Sequence, residues 1–206
     1  MSHEAPLAGE GPGERQTWLA RHGETEWSSL GRHTGRTDIP LTTEGEEQAR
    51  RLGVLLRDRS FALVLTSPLV RAAETARIAG FGEVAVAEPD LLEWDYGDLE
   101  GLTTPEIREA QPGWTVWRGS VPNGETIDEV GARADRVIAR LRAADGDSLV
   151  FAHGHFLRVL AARWLGLPAT AGAHFALSTA TTSLLGWERG APVIERWNEA
   201  CGAPPA

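Results

Sequence analysis

Residues 21–23 are Arg-His-Gly, and they follow the apolar run Trp18-Leu19-Ala20 at the point where a strand should end. Arg21 offers a fork of N–H donors that fits phosphate oxygens, and Gly23 permits a sharp turn or a close backbone approach. His22 can be neutral and nucleophilic near pH 7. Phosphoryl transfer to a histidine needs those three properties together. A second apolar run, Ser148 to Ala152, ends in His153-Gly154-His155, and a third, Phe61 to Thr66, leads through Ser67-Pro68 to Arg71. Arg71 is therefore expected to be a second phosphate clamp. Glu93, Asp95 and Asp98 form a carboxylate cluster from which a general acid could be drawn.

Positioning these groups requires strands that end side by side. In open α/β sheets ligands bind at the carboxyl ends of the strands, so His22 and His153 are expected to face one another across a pocket. Thr43-Glu44-Gly45-Glu46 has the form of a capping box and predicts an amphipathic helix with Leu52, Leu55 and Leu56 inward. Arg71 opens a helix over Ala72 to Ala79, and a strand is predicted around Val84 to Ala87. Leu91 to Gly101 reads as irregular. Thr104 before Pro105 predicts a capped short helix through Gln111. Ile127, Val130, Ala134, Val137, Ile138 and Leu141 form one stripe of a helix over about Ile127 to Ala144. A helix containing His155 runs to Trp164. Thr182 to Trp187 and Val193 to Trp197 read as strands joined by the turn-rich link Glu188 to Pro192, which suits a hairpin. The alternation of strands and helices predicts an α/β protein: a three-layer α/β/α sandwich on a mostly parallel central sheet with one antiparallel strand.

With 206 residues, 42% of them hydrophobic, the chain can bury one sizeable core and need not divide into two domains. A single domain over residues 15–200 is expected. Residues 1–14 read as a disordered lead-in without the basic start and apolar core of a signal peptide, and 201–206 as a flexible tail. The net charge of −9 argues against nucleic acid and anionic membrane surfaces as partners, although arginines set the local field of a pocket. Cys201 is the lone cysteine, so an intrachain disulfide is excluded and a cytoplasmic location fits. No apolar run approaches the ~18 residues of a membrane span. The eight tryptophans are expected to pack the core or the helix-to-sheet layers. His3, His33 and His174 have no carboxylate or cysteine partners at metal spacing and read as surface or core histidines. No metal and no cofactor is expected.

Five blocks in order carry a resemblance: 21–28 (Arg-His-Gly-Glu-Thr-Glu-Trp-Ser), 34–42 (Thr-Gly-Arg-Thr-Asp-Ile-Pro-Leu-Thr), Thr66-Ser67-Pro68 with Arg71, 93–97 (Glu-Trp-Asp-Tyr-Gly), and 152–155 (Ala-His-Gly-His). On these the chain resembles the histidine phosphatase superfamily, the phosphoglycerate mutase-like fold, over nearly all of its length after residue 16. Within that family it is similar to broad-specificity acid phosphatases and sedoheptulose bisphosphatase-like enzymes. The resemblance implies covalent catalysis at His22 and charge stabilisation by His153, which as an imidazolium could donate to an equatorial oxygen. Arg21, Arg71, His153 and the Gly154 amide would cradle the phosphate. Glu93 is implied as the general acid, with Asp95 and Asp98 as alternatives. Ser28, Thr34 and Gly35 match positions that contact the phosphate or its ester. Tyr96 either contacts substrate or packs in its loop, and His155 either touches substrate or caps its helix.

The expected function is hydrolysis of small phosphorylated metabolites, sugar phosphates among them. The alternatives are a cofactor-dependent phosphoglycerate mutase and a binding module without turnover. Mutases of this family carry an insertion after their Trp-Arg block, whereas six residues separate Arg118 from Glu125 here. Water should then reach a phosphohistidine. The partner expected is a small phosphorylated molecule, with a homodimer left open.

Overall fold

The computed structural model describes residues 15–200; the expected lead-in and tail, with His3 and Cys201, lie outside the described residues. Six strands form one sheet: β1 (Thr17–Arg21), β2 (Leu63–Thr66), β3 (Val86–Ala87), β4 (Ser148–Ala152), β5 (Thr181–Glu188) and β6 (Ala191–Ala200). Their order is β3-β2-β4-β1-β5-β6. β1, β2, β3 and β4 pair in parallel, and β5 runs antiparallel to both of its neighbours. β5 is thus the antiparallel strand that the closing hairpin predicted. Its link to β6 is the two-residue turn Arg189-Gly190, with φ of 52° and 80°. Two positive φ values in sequence suit the right-handed twist of the flanking strands.

Six α-helices connect the strands: α1 (Glu26–Ser29), α2 (Thr43–Leu56), α3 (Val70–Ile78), α4 (Thr104–Ala110), α5 (Ile127–Arg142) and α6 (Gly154–Trp164). Because side chains alternate across a strand, the central strands are apolar on both faces and need a layer of helices on each. Trp18, Ala20, Val64, Leu149 and Phe151 pack with Leu52 and Leu56 of α2 and Ala76 of α3. Their neighbours Leu19, Leu65, Val150 and Ala152 pack on the opposite face with α5 and α6. The three layers follow directly from that alternation.

Several boundaries differ from the sequence expectation for identifiable reasons. The cap of α2 is Thr42, one residue earlier than expected; its Oγ accepts from Gly45 N at 3.0 Å, and its own N–H is tied to Glu24 O. Leu55 is 43% exposed because the buried stripe of α2 runs through Gly45, Ala49, Leu52 and Leu56. The cap of α4 is Thr103 rather than Thr104, since only Thr103 has a Glu three residues on to complete a reciprocal capping box. The strand expected from Val84 shortens to Val86–Ala87, and that from Phe61 to Leu63–Thr66.

Candidate active site

β1 and β4 pair in a register that sets Arg21 beside Ala152, residues 131 apart in the chain. The next residue of each strand is a histidine. His22 N donates to Ala152 O at 3.0 Å, and the His22 and His153 rings lie 5.2 Å apart at 59°. Ser67, just beyond β2, donates its N–H to Phe151 O and joins the same edge. Three parallel strand ends thus converge where the strand-end rule placed the ligand.

His22 is 4% exposed, and its Nδ1 lies 2.7 Å from Gly23 O. A carbonyl only accepts, so Nδ1 carries the hydrogen and neutral His22 keeps its lone pair on Nε2. Burial, then the charges of Arg71 and Arg21, hold this histidine well below its ordinary pKa, against the Gly23 carbonyl. The turn itself is pinned on two sides. Gly23 N donates to Thr75 Oγ1 at 3.0 Å, and a Cβ on Gly23 would lie 2.3 Å from Gly45 O. A Cβ on Gly45 would lie 2.1 Å from Glu24 O, so the first turn of α2 presses its backbone against the His22 turn.

Arg71 is fully buried. Its Nη atoms donate to the carbonyls of Thr34, Gly35 and Thr37, and its Nε donates to His153 Nδ1 at 3.2 Å. Since Nδ1 accepts, His153 is neutral and its Nε2–H is directed to Ser67 Oγ at 2.7 Å. The imidazolium expected at His153 is corrected to a neutral ring. Burial and the neighbouring Arg71 also push its pKa well below the usual value. Arg21 donates through Nη1 to Leu177 O at 2.5 Å, while its Nε has no partner among the described residues. Gly154 leaves room for this guanidinium, because a Cβ there would sit 3.2 Å from Arg21 Cζ.

Glu93 is 5% exposed and accepts three backbone N–H bonds: from Trp94 and Phe156 on Oε1 at 2.9 and 2.8 Å, and from His155 on Oε2 at 3.0 Å. Two of these donors open α6, so the helix N-terminus orients the carboxyl. Behind it, Arg133 donates to the carbonyls of Asp90, Leu92 and Glu93 and pairs with Glu125 at 2.7 Å. Asp95 and Asp98 are engaged elsewhere, with Gly97 N and with Asn123 Nδ2. Of the three acids, Glu93 alone lines the cavity beside His22.

That cavity holds about 270 Å³. Arg21, His22, Ser28, Thr34, Glu93, Tyr96, Gly154 and His155 all line it, so eight expected site residues meet at one place. Gly35 does not: its N–H donates to Glu100 Oε1 at 2.7 Å and its carbonyl accepts from Arg71 Nη2 at 2.9 Å. Arg71 and His153 lie behind the wall. Ser28 lines the cavity while closing the capping box of α1 with Thr25. His155 is the second residue of α6, whose cap position is His153, so the capping role open in the sequence is excluded. Tyr96 both packs and lines the wall: it is 1% exposed, with its hydroxyl 2.5 Å from His155 Nδ1.

Sequence reasoning missed five contributors. Ser67 and Thr75 orient His153 and Gly23; Thr75 is one helical turn after Arg71, the one signal that could have found it. Glu125 and Arg133 are far from the motifs in sequence. His33, expected to be a surface or core histidine, lines the cavity and stacks on His155, with ring centroids 5.9 Å apart at 24°. Among the described residues no group of three or more His, Cys, Asp and Glu is placed to hold a metal ion, and no helix is long and apolar enough to cross a membrane.

Comparison with known proteins joins this geometry to a family. The profile of the histidine phosphatase superfamily (branch 1) matches residues 17–200. An acid phosphatase of Mycobacterium tuberculosis is 44% identical over 176 residues, which is 84% of this chain and 86% of that protein. The sedoheptulose 1,7-bisphosphatase of Saccharomyces cerevisiae is 39% identical over 186 residues, 72% of this chain and 67% of the relative. A solved structure of an open reading frame product from Mycobacterium tuberculosis superposes with a TM-score of 0.87 at 41% identity, covering 91% of this chain and 99% of the other.

Proposed function

Because the chain belongs to the histidine phosphatase superfamily and is a phosphoric monoester hydrolase, we propose that it hydrolyses small phosphorylated metabolites through a covalent phosphohistidine on His22. The observation that carries this reading is the Nδ1–H bond from His22 to Gly23 O, which leaves Nε2 free as the nucleophile in a site ringed by Arg21 and Arg71. Nε2 attacks phosphorus as the ester P–O bond breaks, and Glu93, acting as general acid, gives its proton to the leaving oxygen. Glu93 then takes a proton from water, which attacks the phosphohistidine and releases inorganic phosphate with His22 restored. Arg21, the Gly154 amide and, from behind, Arg71 and His153 meet the charge of the transferring phosphoryl group.

His153 enters as a neutral ring whose field comes from Arg71, rather than as a fixed cation. Ser28, Thr34 and His155 provide contacts for the rest of the ester, Tyr96 holds His155, and the size of the cavity suits a small metabolite. The partner is a small molecule, not nucleic acid or a membrane, and the protein works in the cytoplasm, in keeping with its net charge of −9 and lone cysteine. Hydrolysis is favoured over the mutase alternative by the short Arg118-to-Glu125 link, and over a binding module by the presence of all five reacting groups. The test is acid-labile, base-stable phosphate trapped on the protein during turnover. It should be present in wild type and absent in His22→Ala, which should also lose activity; a phosphoenzyme that persists in His22→Ala would overturn the assignment.

A further inference from the structure

The wall of the cavity away from His22 is built from aromatic and imidazole rings. His155 stacks near His33, and Tyr96 packs edge-on against His155 at 5.9 Å and tilted at 57° against His33 at 4.9 Å. Trp117 closes the other side of His155 at 5.3 Å. Among the described residues, the one hydrogen-bond partner of the buried Tyr96 hydroxyl is His155 Nδ1. Were Nδ1 the donor, the phenolic hydrogen would be buried without an acceptor, at a cost of about 1–3 kcal/mol. Tyr96 therefore donates, and the proton of the neutral imidazole must sit on Nε2. His155 Nε2 has no protein partner among the described residues, and its ring lines the cavity.

Burial keeps both rings uncharged near neutral pH: His155 is held well below its ordinary pKa, and His33 is lowered to about 4. His33 Nε2 is 3.3 Å from Thr104 Oγ1, another residue of the wall. The two arginines of this side are each held in part by the protein. Arg158 donates to Gly172 O and Ala173 O with its guanidinium 4.5 Å from the Trp117 ring, and Arg32 donates to Gly101 O and lies 3.8 Å from Glu106. Between them lies a set of neutral hydrogen-bonding groups, His155, His33 and Thr104.

We propose that Tyr96 is a positioning residue that fixes His155 as a neutral Nε2–H donor, and that this donor, with His33 and Thr104, reads the hydroxyl groups of a polyol phosphate. This rests on the reading of the cavity as the site where esters are cleaved at His22. It selects phosphate esters of polyhydroxylated alcohols over esters without hydroxyl groups.

The test compares ribose 5-phosphate with nitrophenyl phosphate in wild type, Tyr96→Phe, His155→Phe and the double variant. Removing the Tyr96 hydroxyl frees both tautomers, and kcat/KM for ribose 5-phosphate should fall about tenfold further than for nitrophenyl phosphate, mostly through KM. That ratio corresponds to about 1.4 kcal/mol. His155→Phe should show the same selective loss, and the double variant should add nothing, because Tyr96 acts through His155. Nitrogen-15 NMR of the His155 imidazole should show the Nε2–H tautomer in wild type and a mixture in Tyr96→Phe. Equal loss on both esters, additive effects in the double variant, or an Nδ1–H tautomer in wild type would each overturn the proposal. Should wild type hydrolyse neither ester, the reading of the cavity fails, while the tautomer still tests Tyr96.

Discussion

Replacing Gly23 by alanine probes the contact that seats His22. The added Cβ would lie 2.3 Å from Gly45 O, 2.9 Å from its carbonyl carbon and 3.0 Å from its Cα, where ordinary contact begins at 3.4 Å. All three neighbours are backbone, and no side-chain rotation relieves them. The His22 turn and the first turn of α2 must therefore separate by about 1 Å, a misplacement of the order that costs ~10²-fold in rate when it reaches a reacting group. Two further bonds amplify the effect, since Gly23 O orients His22 Nδ1 and Gly23 N is held by Thr75. Overpacking of this kind costs about 1–3 kcal/mol of stability, and each kcal/mol lowers Tm by about 2–4 °C in a chain of this size. The assay is kcat/KM on nitrophenyl phosphate, alongside thermal unfolding followed by circular dichroism. Gly45→Ala approaches the same contact from the helix side, with a Cβ 2.1 Å from Glu24 O, and should reproduce the loss. A folded Gly23→Ala enzyme within about threefold of wild type would refute the claim that the Gly23–Gly45 contact sets the position of His22.

Glu93→Gln should slow alkyl phosphates far more than nitrophenyl phosphate, because protonation matters most when the leaving oxygen is most basic. Equal slowing on both esters would make Glu93 a positioning group and return Asp95 or Asp98 to consideration as the acid. Activity is expected to persist in excess chelator, with arginines meeting the phosphate charge; a loss restored by a divalent ion would contradict the metal-free mechanism. Acid should destabilise the fold through His22 and His153, whose pKa values are lowered on folding. Below the unfolded value of about 6.5 the unfolded chain binds their protons and the native state does not, so stability falls as pH falls. These two alone give a slope approaching about 3 kcal/mol per pH unit until their native pKa values are reached, and His155 and His33, lowered in the same direction, add to it. Chemical denaturation at pH 7 and pH 5 measures it, and equal stabilities would show that the two rings protonate freely in the native state.

The parts of the site that were legible in the sequence are those written by short-range rules. The apolar runs ending in His22 and His153 announce strands with chemistry at their tips, and the stripe from Ile127 to Leu141 announces α5. Capping was harder: Thr42 and Thr103 lie beside threonines of equal propensity, and the choice turned on Glu24 in one case and Glu106 in the other. His33 was misread because its place on the wall depends on rings from three other segments, at Tyr96, Trp114 and His155. The neutral state of His153 was hidden for a similar reason, since Arg71 reaches its Nδ1 from another helix. Glu125 and Arg133 carry no motif, and only the folded loop of Glu93 shows what they hold.

The pairing of β1 with β4 also has a consequence for how the chain is made. His22 is synthesised before the strand that sets its neighbour, which is encoded 131 residues later. Loop closure over that distance is compensated only when β4 arrives with its full complement of contacts. A ribosome-bound or truncated chain that stops before residue 148 carries Arg21, His22, Arg71 and Glu93 but has no strand between β1 and β2 to align them. Phosphatase activity is thus a property of the completed polypeptide, and fragments released by premature termination would be catalytically silent.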